Sequence, residues 1–226
     1  MRKRFAFIVN GLCGGGAERV LQIVLRNLDR AKYDITLINH RQEHVNELYP
    51  SDIKYLNILK SKSRAGRVWV KVYNKVNLLI YENFSPRLFR KIYLRKRFDV
   101  EIAFIEGYAT RIASGGRSGK KIAWVHTDMK SNPWADIAFR SKEEQAECYL
   151  RFDCVVCVSS SSKGSFDGVY RSKRSVVIYN PIDGGEVRDM ASRFLVKRDG
   201  GSPLFATVGR LVPQKGYDRP VWVGGR

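Results

Sequence analysis

The sequence predicts an α/β fold, a doubly wound and mostly parallel sheet with helices on both faces. Three observations carry that expectation. Short runs rich in β-branched and aromatic residues alternate with longer segments of helical periodicity. Several of the short runs are apolar at successive positions, as strands are when both faces of a sheet are covered. The first run passes straight into a glycine-rich turn and a helix, the joint at which open sheets of this class bind ligands.

The first expected strand covers residues 5–10. Met1-Arg2-Lys3-Arg4 and the five apolar residues after it imitate a secretory signal. The run stops at Asn10 and is followed by Glu18 and Arg19, too short for a signal's apolar region, so it reads as a buried strand. Residues 17–28 place Val20, Val24, Leu25 and Leu28 on one helical face. A strand is expected at 35–39, with His40 and His44 in a polar loop after it. Helices are expected at 68–81 and 88–97, and strands at 99–105 and 121–125. A helix at 135–152, a strand at 154–158, a helix at 161–170 and a strand at 176–179 follow.

Asn180-Pro181-Ile182-Asp183-Gly184-Gly185 breaks both helix and strand. The domain organisation expected is therefore one domain over 1–183 and a linker over 184–203. Residues 204–226 would start a second α/β unit, only begun, whose opening strand runs over 204–209.

Composition narrows the function classes. The 226 residues hold 41 Lys and Arg against 22 Asp and Glu, a net charge of +19, yet 44% are apolar and 12% aromatic, which excludes a disordered chain. No apolar run approaches the roughly 18 residues of a membrane span, so a globular, cytoplasmic protein is expected. Cys154-Val155-Val156-Cys157 has CxxC spacing, but strand alternation sends its thiols to opposite faces, which favours core cysteines over a metal or disulfide. No Ser-His-Asp spacing and no metal-ligand cluster is readable.

Three places carry candidate chemistry. The turn Asn10-Gly11-Leu12-Cys13-Gly14-Gly15-Gly16-Ala17 lets the backbone approach a ligand and offers helix N–H groups to an anion. A ligand-free tight turn is its bland alternative. His126 stands at the end of an expected strand, where loops line the crevice. Arg210 ends the run Val208-Gly209 and is followed by Lys215, a pair suited to a diphosphate or simply to solvent.

Residues 60–97 hold twelve Lys and Arg and one acid, Glu82, more than half of the net charge. Apolar and aromatic residues recur among them at helical spacing. The expectation is a core-facing apolar stripe with a charged rim, weakly attracted to an anionic membrane surface. Nucleic acid is disfavoured because no recognition motif accompanies the charge.

Taken together the motifs resemble the N-terminal part of a retaining glycosyltransferase of the GT-B fold, family 4. The matching residues are Gly14-Gly15-Gly16-Ala17-Glu18-Arg19, Trp124-Val125-His126, Val155 to Ser160, Val177-Ile178-Tyr179-Asn180-Pro181, and Val208-Gly209-Arg210 with Lys215-Gly216. The resemblance implies a Rossmann-like acceptor-side domain facing a donor-binding one. It implies that Gly14, Gly15, Gly16 and Asn180 line the donor or acceptor site and that His126 contacts the transferred sugar. Arg210 and Lys215 would hold the leaving diphosphate without a metal or other cofactor.

The implied partners are a nucleotide-sugar and a saccharide or lipid-linked acceptor in cell-surface polysaccharide synthesis, at the inner face of the membrane. The family's paired glutamates, eight positions apart, have no counterpart in this sequence, and Pro220 interrupts an expected helix. A truncated chain, inactive alone, is therefore expected. Two readings from other classes stand beside this one. An oxidoreductase domain lacks its third fingerprint glycine, which Arg19 replaces, and a nucleic-acid module rests on charge alone.

Overall fold

The computed structural model describes residues 1–12, 15–40, 49–59, 67–171, 174–193 and 208–209. The chain divides into two compact units, Met1–Asp183 and Gly184–Arg226. In the first unit seven strands form one parallel sheet: β1 (Lys3–Val9), β2 (Tyr33–Asn39), β3 (Lys54–Asn57), β4 (Val100–Ala103), β5 (Lys120–Val125), β6 (Cys154–Cys157) and β7 (Ser175–Val177). Their order is β3-β2-β1-β4-β5-β6-β7, and every neighbouring pair is parallel. The doubly wound α/β sheet expected from the alternation is the fold.

The successive apolar positions have a simple reason. In β1, Ala6 and Ile8 enter the core on one face, while Phe7 and Val9 enter the core on the other. Ala103 of β4 faces the first core, and Ile102 with Phe104 the second. Among the described residues, α1 (Gly16–Asn27) covers the second core through Val20, Leu21 and Leu25. The first core is filled by α2 (Arg67–Asn83), α3 (Pro86–Tyr93), α4 (Tyr108–Ser114), α5 (Lys142–Leu150) and α6 (Ser160–Tyr170), which contribute Tyr81, Phe89, Ile112, Tyr149 and Phe166. Cys157 is buried there and Cys154 is half-buried, so the CxxC thiols do take opposite faces.

Several expectations change. The single helix at 135–152 is two pieces, a 3-10 helix Trp134–Ala138 and then α5. Ser141 restarts the helix as its N-cap, its hydroxyl accepting from Glu144 N–H at 3.2 Å. The helix expected at 88–97 begins earlier, because Ser85 caps it and Pro86 fits its first turn, and it ends at Tyr93. Strand β3, polar at the sheet edge, and the short α4 have too little periodicity to be read. Residues 184 and 185, read as helix breakers, open α7 (Gly184–Ala191) in the second unit. The strand expected at 204–209 lies largely outside the described residues, Val208 and Gly209 apart.

The apolar stripe of 60–97 is not core-facing along α2. Trp69 is 79% exposed, and Val72, Val76, Leu78 and Leu79 are exposed with it, while Asn77 and Tyr81 are buried. Periodicity shows that a helix is two-faced; which face meets the sheet depends on neighbours distant in sequence. No helix among the described residues is long and apolar enough to cross a membrane.

Candidate functional site

The order of strand addition reverses at β1, which has β2 on one side and β4 on the other. Loops leaving the C-terminal ends of β1 and β4 diverge there and open a crevice. Asn10, directly after β1, ties the two loops together. Its carboxamide donates to the Glu106 carbonyl at 2.7 Å and accepts from Ala109 N–H at 2.7 Å. The second bond satisfies an otherwise unpaired N–H in the first turn of α4. Gly107 between them has φ +86°, a conformation that favours glycine.

Glu106 is fully buried. Its Oε1 accepts from His126 N–H at 2.5 Å, Thr127 N–H at 2.7 Å and the Thr127 hydroxyl at 3.0 Å. Oε2 has no partner among the described residues. Burial pushes the carboxyl pKa up, and the bonds from His126 and Thr127 oppose this without prevailing. With Oε1 taken by three donors, a proton retained by the acid belongs on Oε2.

The carboxyl thus fixes the backbone that presents His126. The ring packs beside Phe104 and Trp124, with centroids 5.3 and 6.3 Å away. Nε2 lies 2.9 Å from the Phe104 carbonyl, which can only accept, so Nε2 carries the proton. Burial pulls the ring pKa from 6.5 down to about 4, against that hydrogen bond and the charge of Glu18. At neutral pH the ring is therefore uncharged and its Nδ1 is an acceptor.

Glu18 sits in the first turn of α1. Its Oε2 lies 2.6 Å from where a Cβ on Gly15 would stand, so the side chain folds back over the glycine. Beside Gly16 nothing among the described residues lies within 4 Å of such a Cβ. Gly15 is the N-cap and carries no side chain to cap the first turn of α1, whose N–H groups are of the kind that anions take up. A pit lined by Gly11, Ala17, Glu18, Phe104 and Ile105 joins this turn to the end of β4, with a volume of about 10 Å³, room for no more than a water. A larger ligand would lie across its mouth.

Beyond His126, Asp128 holds the next turn. It accepts from Lys130 N–H at 2.9 Å, from Ser131 N–H and hydroxyl at 3.0 Å, and from the Ser165 hydroxyl of α6. Hydrogen bonds, that from Ser165 foremost, hold its pKa down at about 2. The Ser162 hydroxyl donates to the Thr127 carbonyl at 3.1 Å, a second tie from α6.

Of the residues singled out from sequence, Gly15, Gly16 and His126 share this crevice. They stand at strands two places apart, about 10 Å. Asn180 is exposed just beyond β7, a further two strands from His126. Gly14, Arg210 and Lys215 lie outside the described residues. Glu106 escaped the sequence reading, and Asn10 and Glu18 stood in its motifs without a role of their own. Asn10 and Glu106 each follow an apolar strand run closely, the same signal that marked His126. His40, expected in a polar loop, is buried at the end of β2 and stacks on Tyr108 with ring centroids 4.6 Å apart.

The histidine's depressed pKa sets a pH dependence with a definite sign. Above pH 6.5 the ring is neutral in both folded and unfolded chains. As pH falls toward 4 only the unfolded chain gains the proton, and stability is lost. The expected loss is about 2 kcal/mol by pH 5, from the shift between 6.5 and about 4. Urea denaturation at pH 7 and pH 5 checks it: His126→Gln should remove that increment, and an identical pH response in both proteins would refute the assignment.

A family model described as Glycosyltransferase Family 4 matches residues 14–184. No curated protein sequence matches. Among solved structures, HepE of Anabaena in complex with UDP and glucose superposes with a TM-score of 0.50 at 14% identity, covering 84% of this chain and 50% of that one. Phytolacca americana UGT2 complexed with UDP-2fluoro-glucose and pterostilbene gives a TM-score of 0.40 at 9% identity, covering 85% of this chain and 57% of that one. The chain thus spans about half the length of the solved structures it resembles.

Proposed function

Because the chain belongs to Glycosyltransferase Family 4, we propose that it forms the acceptor-side half of the cleft in a retaining sugar transferase. The donor is a nucleotide-sugar, and UDP-glucose, bound by HepE of Anabaena, is the first candidate. The acceptor is a saccharide or lipid-linked saccharide of cell-surface polysaccharide synthesis. The observation that carries the reading is the neutral His126 at the crevice, its Nε2 engaged by Phe104. A lone pair on Nδ1 is suited to accept from a hydroxyl of the transferred sugar, and a neutral ring adds no charge beside a departing diphosphate.

Gly16, which no described residue crowds, and the first-turn N–H groups of α1 suit the close approach of a phosphate or a sugar. Arg210 and Lys215 are proposed to take up the charge that develops on the leaving diphosphate. The family's paired glutamates have no counterpart in these 226 residues, so binding without turnover is expected of them alone. Sugar transfer by the purified chain would overturn that part.

Peripheral attachment is part of the same proposal. Trp69, Val72, Val76 and Leu79 recur on an exposed face of α2, with Lys71 and Lys75 beside them. An apolar face flanked by cations is suited to the headgroup layer of an anionic membrane at the cytoplasmic side.

The test reads His126 directly. Nitrogen-15 spectra of the ring at pH 7 should show Nδ1 shifting saturably as UDP-glucose is added, with no such response in His126→Ala. Unmoved ring nitrogens at millimolar UDP-glucose would sink the assignment.

A further inference from the structure

A sizeable cavity of the first unit lies away from the crevice. It lies at the opposite end of the sheet, where the chain enters β4 and β5, and its volume is about 710 Å³. Its walls are α3, the segment that follows it, the end of α4 with Gly115, Gly116 and Arg117, and Lys121 at the start of β5. Eight of its fourteen lining residues are Lys or Arg, and none is Asp or Glu.

Two observations separate this cavity from an ordinary basic surface. Arg90 is 3% exposed, and among the described residues its Nε and Nη1 have no hydrogen-bond partner. Only its Nη2 is engaged, by Glu101, which is fully buried and also accepts from Ser118. A buried guanidinium with two idle donors is costly unless something supplies acceptors. Three of the other cations have no carboxylate partner: Arg87, Lys91 and Arg117 make no ion pair among the described residues.

The floor is held by close packing. A Cβ on Gly115 would stand 2.1 Å from the Pro86 carbonyl oxygen, and one on Gly116 would stand 2.2 Å from Glu101 Oε2. The α4 terminus therefore packs directly against α3 and the Arg90–Glu101 pair. Carbonyls at that terminus would repel an anion, but Lys121 Nζ donates to one of them, Ser114 O, at 3.2 Å.

We propose that this cavity is a binding site for an anion carrying two or more phosphate groups, distinct from the sugar-transfer crevice. Arginine forks match phosphate oxygens in pairs, and the excess of cations over the single Glu101 calls for several negative charges. The volume accommodates a ligand larger than a lone orthophosphate. The phosphates could belong to a free oligophosphate or to a lipid headgroup.

The full chain is titrated calorimetrically with inorganic tripolyphosphate at about 0.15 M salt, where long-range attraction is screened. Saturable one-to-one binding is expected. Lys91→Ala with Arg117→Ala should weaken it by about tenfold or more. Lys71→Ala with Lys75→Ala removes the same charge from α2 and should leave it nearly unchanged. No saturable binding at millimolar tripolyphosphate, or equal weakening by the two double variants, would overturn the proposal. Phosphatidylcholine vesicles doped with a bisphosphorylated phosphatidylinositol, whose headgroup carries more than one phosphate, distinguish the sources. Release of bound chain by tripolyphosphate shows a headgroup in the cavity, and retention shows a free anion there with the membrane held elsewhere.

Discussion

Replacing Arg111 by Met is expected to destabilise the first unit by about 3–5 kcal/mol, the cost of removing one partner of a buried ion pair. The side chain is 1% exposed. It forks onto Glu144, Nε at 3.1 Å and Nη2 at 3.0 Å, and donates to the Tyr81 and Phe84 carbonyls at the end of α2. Its guanidinium also lies 4.2 Å from the Tyr81 ring centroid. One residue of α4 thus joins α2, α4 and α5. Methionine fills much of the volume but leaves two carbonyls and part of a carboxylate without donors.

Burial works against the Glu144 charge, but hydrogen bonds from Arg111 and Arg140 outweigh it and hold the pKa at about 2. That stabilisation is complete above the ordinary value of 4.5 and fades as pH falls toward 2. Equilibrium urea unfolding at pH 7 measures the loss. Arg111→Lys should recover only part of it, since an ammonium cannot fork. A loss below about 1 kcal/mol for Arg111→Met, the size of a surface pair, would show that the network carries little of the fold's stability.

Replacing Glu106 by Ala is expected to cost about 2–4 kcal/mol, because it empties buried volume and orphans the His126 and Thr127 N–H groups at once. Glu106→Gln should cost under about 1 kcal/mol, since an amide keeps the accepting oxygen and imitates the neutral acid. The raised carboxyl pKa adds a signed pH effect. The native state keeps its proton longer than the unfolded chain, so stability declines as pH rises from the ordinary value of 4.5 through the native one. Glu106→Gln should flatten that decline. Calorimetric unfolding of the three proteins between pH 4 and pH 8 reads both effects, and equal destabilisation by Ala and Gln would reject a structural role for the accepting oxygen. The two substitutions also separate positioning from contact: Glu106→Gln should preserve the Nδ1 response to UDP-glucose and Glu106→Ala should not.

Much of the frame was legible because strand alternation and strand-end polarity are local signals. Successive apolar positions in β1 mark a two-sided strand, and His126 stands out as the first polar residue after β5. Where legibility stopped, the deciding contact crosses the sequence. Asn10 caps α4 from 99 residues away, so a helix of seven residues forms without local signals. Ser141 looked like one polar residue inside a long periodic segment, yet its N-cap bond divides that segment in two. The exposed apolar face of α2 was misread for the same reason, since periodicity says nothing about what covers a face.

The sequence by itself determined the fold class, the six strands with apolar runs, the glycine turn and the strand end that carries His126. These follow from backbone periodicity and glycine's freedom, which act over a few residues. Only the tertiary structure decided that His126 is neutral, that Glu106 holds its backbone, and that Arg87, Arg90, Lys91 and Arg117 converge on one cavity. Protonation and electrostatic field depend on burial and on charges brought together from separate elements, and those distances exist only once the chain is packed.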